Sequence, residues 1–345
     1  MSDVAELPGR LIWSHDDEPG IRRKKAGSGW NYTDKQGKPI SDEKTIDRIN
    51  SLAIPPAYED VWISPSPNGH IQATGRDAKG RKQYRYHSDW STAQGETKFA
   101  RMAEFGRLLP KIRKRVDADL RRRGMPREKA LAAAVSLLEQ TLIRVGNDEY
   151  AKTNKSYGLT TLRNRHAKVS GETIRFEFKG KSGVQHATKL KDRRLARVVK
   201  ALQELPGQRL FQFVDDEGTR HDVTSADVNA YLQEAAGEEI SAKDFRTWAG
   251  TTYAAKALAL QPKPETKTDL KKATNLSVKA CAGLLGNTPT VCRSAYIHPA
   301  VIKAFADSKL PDSFAKKEGR AFEMAVIRFL DDLAKGKPKP RLAKT

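Results

Sequence analysis

The sequence is short of cysteine, of long apolar runs and of acids to balance its bases. Its 345 residues hold two cysteines, Cys281 and Cys292, which excludes a disulfide framework or a four-thiolate metal site and fits a reducing cytosol. No run of 18 apolar residues occurs, and the leading MSDVAELPGR lacks the charged-then-apolar order of a signal peptide, so neither membrane spanning nor secretion is expected. The seven histidines are scattered, none at metal-ligand spacing from another histidine or from a cysteine. Gly180-Lys181-Ser182 resembles the end of a phosphate-binding P-loop, but the earlier glycine that motif needs falls at Arg175. Asp117-Ala118-Asp119 lies between Arg115 and Arg121 and reads as a solvated, salt-bridged helix face. With no two-metal carboxylate cluster, no metal and no cofactor is expected.

What the chain does have is positive charge. Lys and Arg number 63 against 42 acids, a net charge of +21. Residues 1–97 carry 14 basic and 14 acidic residues, so the whole excess falls in residues 98–345, with 49 basic and 28 acidic. A surplus of this size predicts a polyanionic partner, because each neutralised phosphate releases condensed counterions. Charge alone leaves DNA, RNA and a membrane surface open. Apolar residues at 38% suffice for a sizeable core, and the length suggests about two domains.

Residues 1–97 read as a small, turn-rich β domain. Val61-Trp62-Ile63 and His70 to Thr74 alternate as half-buried strands, and Ser41-Asp42-Glu43-Lys44 opens a short helix carrying Ile46, Ile49 and Leu52. From about Lys98 the period becomes helical. Leu108, Leu109, Ile112, Val116 and Leu120 form one stripe, interrupted by Pro110. Leu131, Val135, Leu138 and Leu142 form a second, ending near Gly146. Ile174, Phe176 and Phe178 alternate before the turn Lys179-Gly180-Lys181-Ser182-Gly183, which predicts a hairpin over 173–190. Helices follow, with a cap at Ser241-Ala242-Lys243-Asp244, a polar flexible connection over 261–275 and a basic disordered tail over 335–345.

Four basic or phenolic residues stand in unusual settings. Arg144 follows the apolar run Leu137, Leu138, Leu142, Ile143, where an arginine is seldom placed without a partner. Lys181 lies at the hairpin tip, Arg246 sits in Lys243-Asp244-Phe245-Arg246-Thr247-Trp248, and Tyr296 precedes the helix-starting Pro299. Singly each has an ordinary structural reading. Together they fit metal-free transesterification of a phosphodiester. Two guanidinium groups can stabilise the charge that builds on the non-bridging oxygens, nearby cations can activate a phenol, and a lysine can protonate the leaving 5′ oxygen.

The order and context of R-V-G-N-D-E-Y (144–150), S-Y-G-L-T-T-L (156–162), F-K-G-K-S-G (178–183), K-D-F-R-T-W (243–248) and S-A-Y-I-H-P (294–299) resemble the type IB DNA topoisomerases, closest to the small poxvirus-like branch found in bacteria. The segment G-R-K-Q-Y-R-Y (80–86) is similar to that branch's DNA-contacting segment. The resemblance runs from about Leu7 to about Leu333. It implies an α+β architecture: a small β-rich N-terminal DNA-binding domain (1–97) and a larger, mainly α-helical catalytic domain with a small sheet (98–334), closing as a C-shaped clamp on duplex DNA.

The resemblance also implies the site. Arg144 and Arg246 would bind the scissile phosphate, Lys181 would be the general acid, and Tyr296 the nucleophile that forms a 3′-phosphotyrosyl bond. Viral members carry a histidine nine residues before the tyrosine, where this chain has Asn287, an amide that can donate one hydrogen bond but holds no charge. Gln83, Tyr84, Tyr86 and Tyr150 match DNA-contacting positions, with Arg81 and Lys82 beside them, and Arg163 and Lys189 are further phosphate-contact candidates. Residues 75–90 hold five basic residues against Asp77 and Asp89, and strand alternation puts Tyr84 and Tyr86 on one face. His298 reads as a capping or packing residue.

The implied activity is relaxation of supercoiled duplex DNA, without ATP or metal, by a cytoplasmic, nucleoid-associated monomer that needs no protein partner. A tyrosine recombinase uses a similar Arg-Lys-Arg-Tyr set, but usually with H-x-x-R where this chain has Lys243-Asp244-Phe245-Arg246. A basic architectural protein would explain the charge and leave the five ordered motifs without a reason.

Overall fold

A two-residue turn folds the first hairpin. Gly27 takes the positive φ of 57° that such a turn requires, and β1 (Ile21–Ala26) pairs antiparallel with β2 (Gly29–Thr33). Helix α1 (Glu43–Ser51) begins at Asp42, whose carboxylate accepts from the Thr45 amide at 2.9 Å. Strands β3 (Glu59–Ile63), β4 (Ile71–Arg76) and β5 (Lys82–Tyr86) complete a five-stranded antiparallel sheet of order β2-β1-β3-β4-β5. Its core is Ile21, Ile49, Val61, Ile63 and Ala73. The α1 residue Ile49 thus caps the apolar face that the sheet's alternation creates. Helix α2 (Ser88–Ala100) follows. The structure, a computed structural model, describes residues 7–335. The expected tail lies, but for its first residue, outside the described residues. The chain divides into two compact units, residues 1–99 and 100–345.

The second unit is mainly helical. Helix α3 (Met102–Asp119) runs unbroken through Pro110, against the expected interruption. Proline removes the hydrogen bond to the carbonyl four residues back, here Gly106. Arg320, from the last helix, donates to that carbonyl at 3.0 Å. The same glycine admits Trp248: a Cβ on it would stand 2.6 Å from the indole. Helix α4 (Arg127–Thr141) is apolar through its middle, with Ala130 to Val135, Leu137 and Leu138 buried. It ends earlier than expected, at Leu142, which takes a left-handed φ of 55°. Helix α5 (Asp148–Asn154) starts from the Asn147 cap.

The predicted hairpin is present. Strands β6 (Ala167–Ser170), β7 (Thr173–Lys179) and β8 (Gln185–Lys191) form a three-stranded antiparallel sheet with β7 central. Ile174, Phe176 and Phe178 are buried on one face of β7. Helix α6 (Arg193–Glu204), the short pair β9 (Gln212–Val214) and β10 (Arg220–Asp222), and α7 (Ser225–Ala236) lead to α8 (Ala242–Ala259). The expected cap at Ser241 is there, its hydroxyl and amide both bonded to Asp244. Next come α9 (Lys267–Leu285), α10 (Pro289–Ala295), α11 (Pro299–Ala306), α12 (Ser313–Lys316) and α13 (Gly319–Lys335). The flexible connection expected over 261–275 is therefore wrong for most of its length. Thr266 and Asp269 form a capping box that starts α9 at Lys267.

Asp117 and Asp119 part company. Asp117 is half-buried and pairs with Arg121 and Arg194. Asp119 is buried at 2% exposure and receives Arg115, Arg122 and the Tyr231 hydroxyl at 2.6, 2.7 and 2.9 Å. The expected solvated face is solvated only at Asp117. Asp119 is an internal tie between α3 and α7.

Candidate active site

The site gathers where α8, the end of α4 and the turn after α9 meet. Arg246 projects from α8 and is buried at 4% exposure. Its Nη1 donates to the Leu142 carbonyl and its Nη2 to the Leu285 carbonyl at 2.6 Å. Both carbonyls are free because both helices end there: Leu142 turns left-handed after α4, and Gly286, φ 58°, closes α9. The two helix C-termini, each with negative dipole character, fix the guanidinium.

Arg144 lies two residues beyond that cap, in extended chain rather than on a helix. The motif at 156–162 holds this segment. Leu159 N donates to the Arg144 carbonyl at 2.8 Å, Thr160 N to the Val145 carbonyl at 2.7 Å, and Gly158 approaches so closely that a Cβ would stand 2.6 Å from the Arg144 oxygen. The Arg144 side chain donates to Asn287 Oδ1 and, at 3.4 Å, to the Gly286 carbonyl. Since a guanidinium can only donate, this bond fixes the amide with Nδ2 on the other side.

Tyr296 ends α10. Its carbonyl accepts from Thr251 Oγ1 at 3.3 Å, Thr251 Oγ1 accepts from His298 N at 3.1 Å, and a Cβ on Gly250 would stand 2.6 Å from the Tyr296 oxygen. Ile297, buried with Leu142, Val278, Cys281, Leu285 and Cys292, anchors Tyr296 from the following position. The Arg246 guanidinium carbon lies 5.2 Å from the centre of the phenol ring. The cysteines beneath are free and buried, their sulfurs 3.3 Å apart. His298 caps α11, its Nδ1 accepting from Ala300 N at 3.1 Å.

The electrostatics are one-sided. Burial lowers the Arg246 pKa, Arg144 lowers it further, and the Tyr296 phenol opposes both. Among the described residues neither Arg144 nor Arg246 forms an ion pair; their hydrogen bonds go to carbonyl and amide oxygens and, from Arg246, to the Tyr296 side chain. Two buried donors, Arg246 Nε and Asn287 Nδ2, have no hydrogen-bond partner among the described residues. An unpaired buried cation is costly, so the arrangement is suited to an anion that accepts from both groups.

Lys181 sits at the exposed tip between β7 and β8, where Ser182 takes φ 62°. Its ammonium makes no hydrogen bond or ion pair among the described residues. The structure thus brings Arg144, Arg246, Asn287 and Tyr296 together and leaves Lys181 on a projecting turn. Beside that turn is a residue the sequence reading missed, His186, whose ring stacks on Phe178 at 5.2 Å. Burial, then Arg144 and Arg246, hold its pKa below the usual imidazole range. The inward-facing positions of β8 were the available signal: His186, Thr188 and Leu190 alternate with exposed neighbours.

The DNA-contact candidates are dispersed. Tyr84 and Tyr86, 43% and 45% exposed, stack with ring centres 5.8 Å apart on edge strand β5. Arg81 Nε and Gln83 Nε2 both donate to Asp77, at 2.8 and 3.1 Å, and Lys82 pairs with Asp16 at 2.6 Å. Tyr150 is half-buried on α5. Arg163 donates to Gln208 at 2.9 Å and lies over Tyr157, and Lys189 is exposed on β8. No group of three His, Cys, Asp or Glu that could hold a metal occurs among the described residues. No described helix is long and apolar enough to cross a membrane.

A β-rich unit ahead of a mainly helical unit with small sheets is the architecture of a type IB catalytic core with its N-terminal domain. The family model "Eukaryotic DNA topoisomerase I, catalytic core" matches residues 87–318, and "Bacterial DNA topoisomerase IB, N-terminal domain" matches residues 29–77. DNA topoisomerase 1B of Acanthamoeba polyphaga mimivirus is 34% identical over 285 residues, 81% of this chain and 85% of the relative. DNA topoisomerase 1B of Vaccinia virus (strain Copenhagen) is 24% identical over 308 residues, 84% of this chain and 91% of the relative. DNA topoisomerase 1 of Rabbit fibroma virus (strain Kasza) is 27% identical over 302 residues, 81% and 91%. The chain belongs to the type IB DNA topoisomerase family, with the N-terminal domain of its bacterial members.

Proposed function

We propose that the chain relaxes supercoiled duplex DNA through Tyr296, as a monomer needing neither ATP nor metal nor a protein partner, in the cytoplasm at the nucleoid. The observation that carries this reading is the buried pair of unpartnered donors, Arg246 Nε and Asn287 Nδ2, beside a tyrosine and a second guanidinium. A phosphodiester accepts from the two donors and the second guanidinium. In cleavage the Tyr296 oxygen bonds to phosphorus and the phenol gives up its proton to water. The bond from phosphorus to the 5′ oxygen breaks, and Lys181 protonates that oxygen as it leaves. Arg144 and Arg246 stabilise the charge on the non-bridging oxygens, with Asn287 adding one neutral donor. The aryl phosphate keeps a good leaving group, so the free 5′ hydroxyl reverses the step after the duplex has rotated.

In this reading residues 98–334 form the catalytic domain and residues 1–97 a DNA-binding domain. The stacked Tyr84 and Tyr86, with Gln83, meet the duplex, and Arg81, Lys82, Tyr150 and Arg163 contribute around it. The experiment is relaxation of supercoiled plasmid in EDTA without ATP, by the wild-type chain and by Tyr296→Phe. Relaxation by the first and none by the second is expected. An inert wild type or an active variant would overturn the reading.

A further inference from the structure

We infer that His186 is a positioning residue, its imidazole a clasp that seats the Lys181 turn against the Gly286–Asn287 turn. The inference rests on the general-acid role proposed for Lys181 and deepens it. The ring is wedged between two glycines. A Cβ on Gly180 would stand 2.4 Å from its Cδ2 and 2.6 Å from its Nε2, and a Cβ on Gly286 would stand 2.7 Å from its Cε1. Each glycine immediately precedes a proposed functional group, Lys181 in one case and Asn287 in the other. Gly286 is favoured by its positive φ in any event. Gly180 does not, since its φ is −94°. The imidazole is therefore the reason for glycine at 180.

The turn has few other constraints. Its base is held by Tyr157 N donating to the Lys179 carbonyl at 2.8 Å, and its interior by Gly180 N to Val184 O at 2.8 Å and Gly183 N to Gly180 O at 3.1 Å. These bonds shape the turn without tying its tip to the arginines. His186 supplies that tie, with Phe178 behind it fixing the ring plane at 11° to its own. The charged groups acting on the ring are Arg144 from the chain after α4 and Arg246 from α8, with Lys181 on the turn it holds. All are cations, so a neutral ring packs there without adding repulsion, and an acid held this way can act on the phosphate's 5′ side while the arginines hold its oxygens.

The test is single-turnover cleavage of a DNA duplex whose scissile phosphate carries either the natural 5′ oxygen or a bridging 5′ sulfur, which leaves without needing a proton. His186→Ala is expected to cleave the oxygen substrate about 10-fold slower or worse, a part of what a general acid supplies. It should cleave the sulfur substrate within about twofold of wild type, and Lys181→Ala/His186→Ala should be no slower than Lys181→Ala. Gly180→Ala, which intrudes on the ring while keeping the histidine, should show the same pattern and serves if His186→Ala folds poorly. Wild-type speed on oxygen, or equal slowing on both leaving groups, overturns the clasp. If sulfur fails to rescue Lys181→Ala, the acid assignment falls and the clasp with it. If it rescues Lys181→Ala but not His186→Ala, the clasp alone is wrong.

Discussion

Arg246 is bonded through Nη1 and Nη2 to the terminal carbonyls of two helices while its face lies 5.2 Å from the Tyr296 ring. A guanidinium so held spends two of its three nitrogens on positioning and keeps Nε unpartnered. Preorganisation of this kind favours a transition state because the donors need not reorganise as charge develops.

The contrast between Arg246 and Asn287 is a prediction about rate. Arg246→Ala removes a buried charge and should slow single-turnover cleavage about 10²–10³-fold. Asn287→Ala removes one neutral donor and should slow it about fivefold to tenfold. Some of the second loss comes through Arg144, which donates to the amide. The reverse order would contradict the division of charge between them.

Gly250 sets how closely α8 approaches Tyr296. Because a Cβ there meets the Tyr296 backbone at 2.6 Å, which has no flexible end to move, Gly250→Ala should cost about 1–3 kcal/mol of stability. It should also depress cleavage more than DNA affinity. A thermal melt and a single-turnover assay on the same preparation read both, and an unchanged rate would show that Tyr296 is placed by Ile297 alone.

Asp119 gives a pH dependence of stability. Burial by itself would raise its pKa, but bonds from Arg115, Arg122 and Tyr231 outweigh burial and hold it below the ordinary carboxylate range. A group depressed on folding stabilises the fold above its unfolded value, near about 3.9, and the contribution disappears as pH falls through the folded value. Asp119→Ala should therefore lose about 3 kcal/mol at neutral pH, and its deficit against wild type should shrink below about pH 4. Melting curves at pH 7 and pH 3.5 check this; a constant deficit would mean the loss is packing alone.

On the first unit, Tyr84 and Tyr86 are exposed whereas Lys82 already pairs with Asp16. Tyr84→Ala should weaken duplex binding about fivefold, roughly one hydrogen bond, and leave the salt dependence of affinity nearly unchanged. Lys82→Ala should change the salt slope by less than the one phosphate contact a free lysine would make. Titrations at several salt concentrations distinguish the two.

How much of this was legible in sequence depends on whether the decisive contact was local. The 173–190 hairpin and the α8 cap are local, written in alternation and in the spacing of Ser241 and Asp244, and both are found. The continuity of α3 through Pro110 depends on Arg320, 210 positions further along the chain, so no local rule reveals it. The start of α9 was legible in Thr266 and Asp269 but was masked by the polarity of the stretch around them. Asp119 looked solvated because its partner Tyr231 is on another helix. Arg144, Lys181, Arg246 and Tyr296 stood out as a set through motif order. His186 did not, because its neighbours Gly286, Arg144 and Arg246 come together only in the fold.

If Tyr296 is the nucleophile, it becomes bonded to the 3′ side of the nick. The most direct measurement traps the reaction with denaturant on a duplex labelled at one end of the scissile strand, then identifies the labelled peptide after proteolysis. Label from the 5′ end of that strand is expected on the peptide containing Tyr296, with a free 5′ hydroxyl on the released piece. Label carried from the 3′ end, or attached to any other residue, would contradict it.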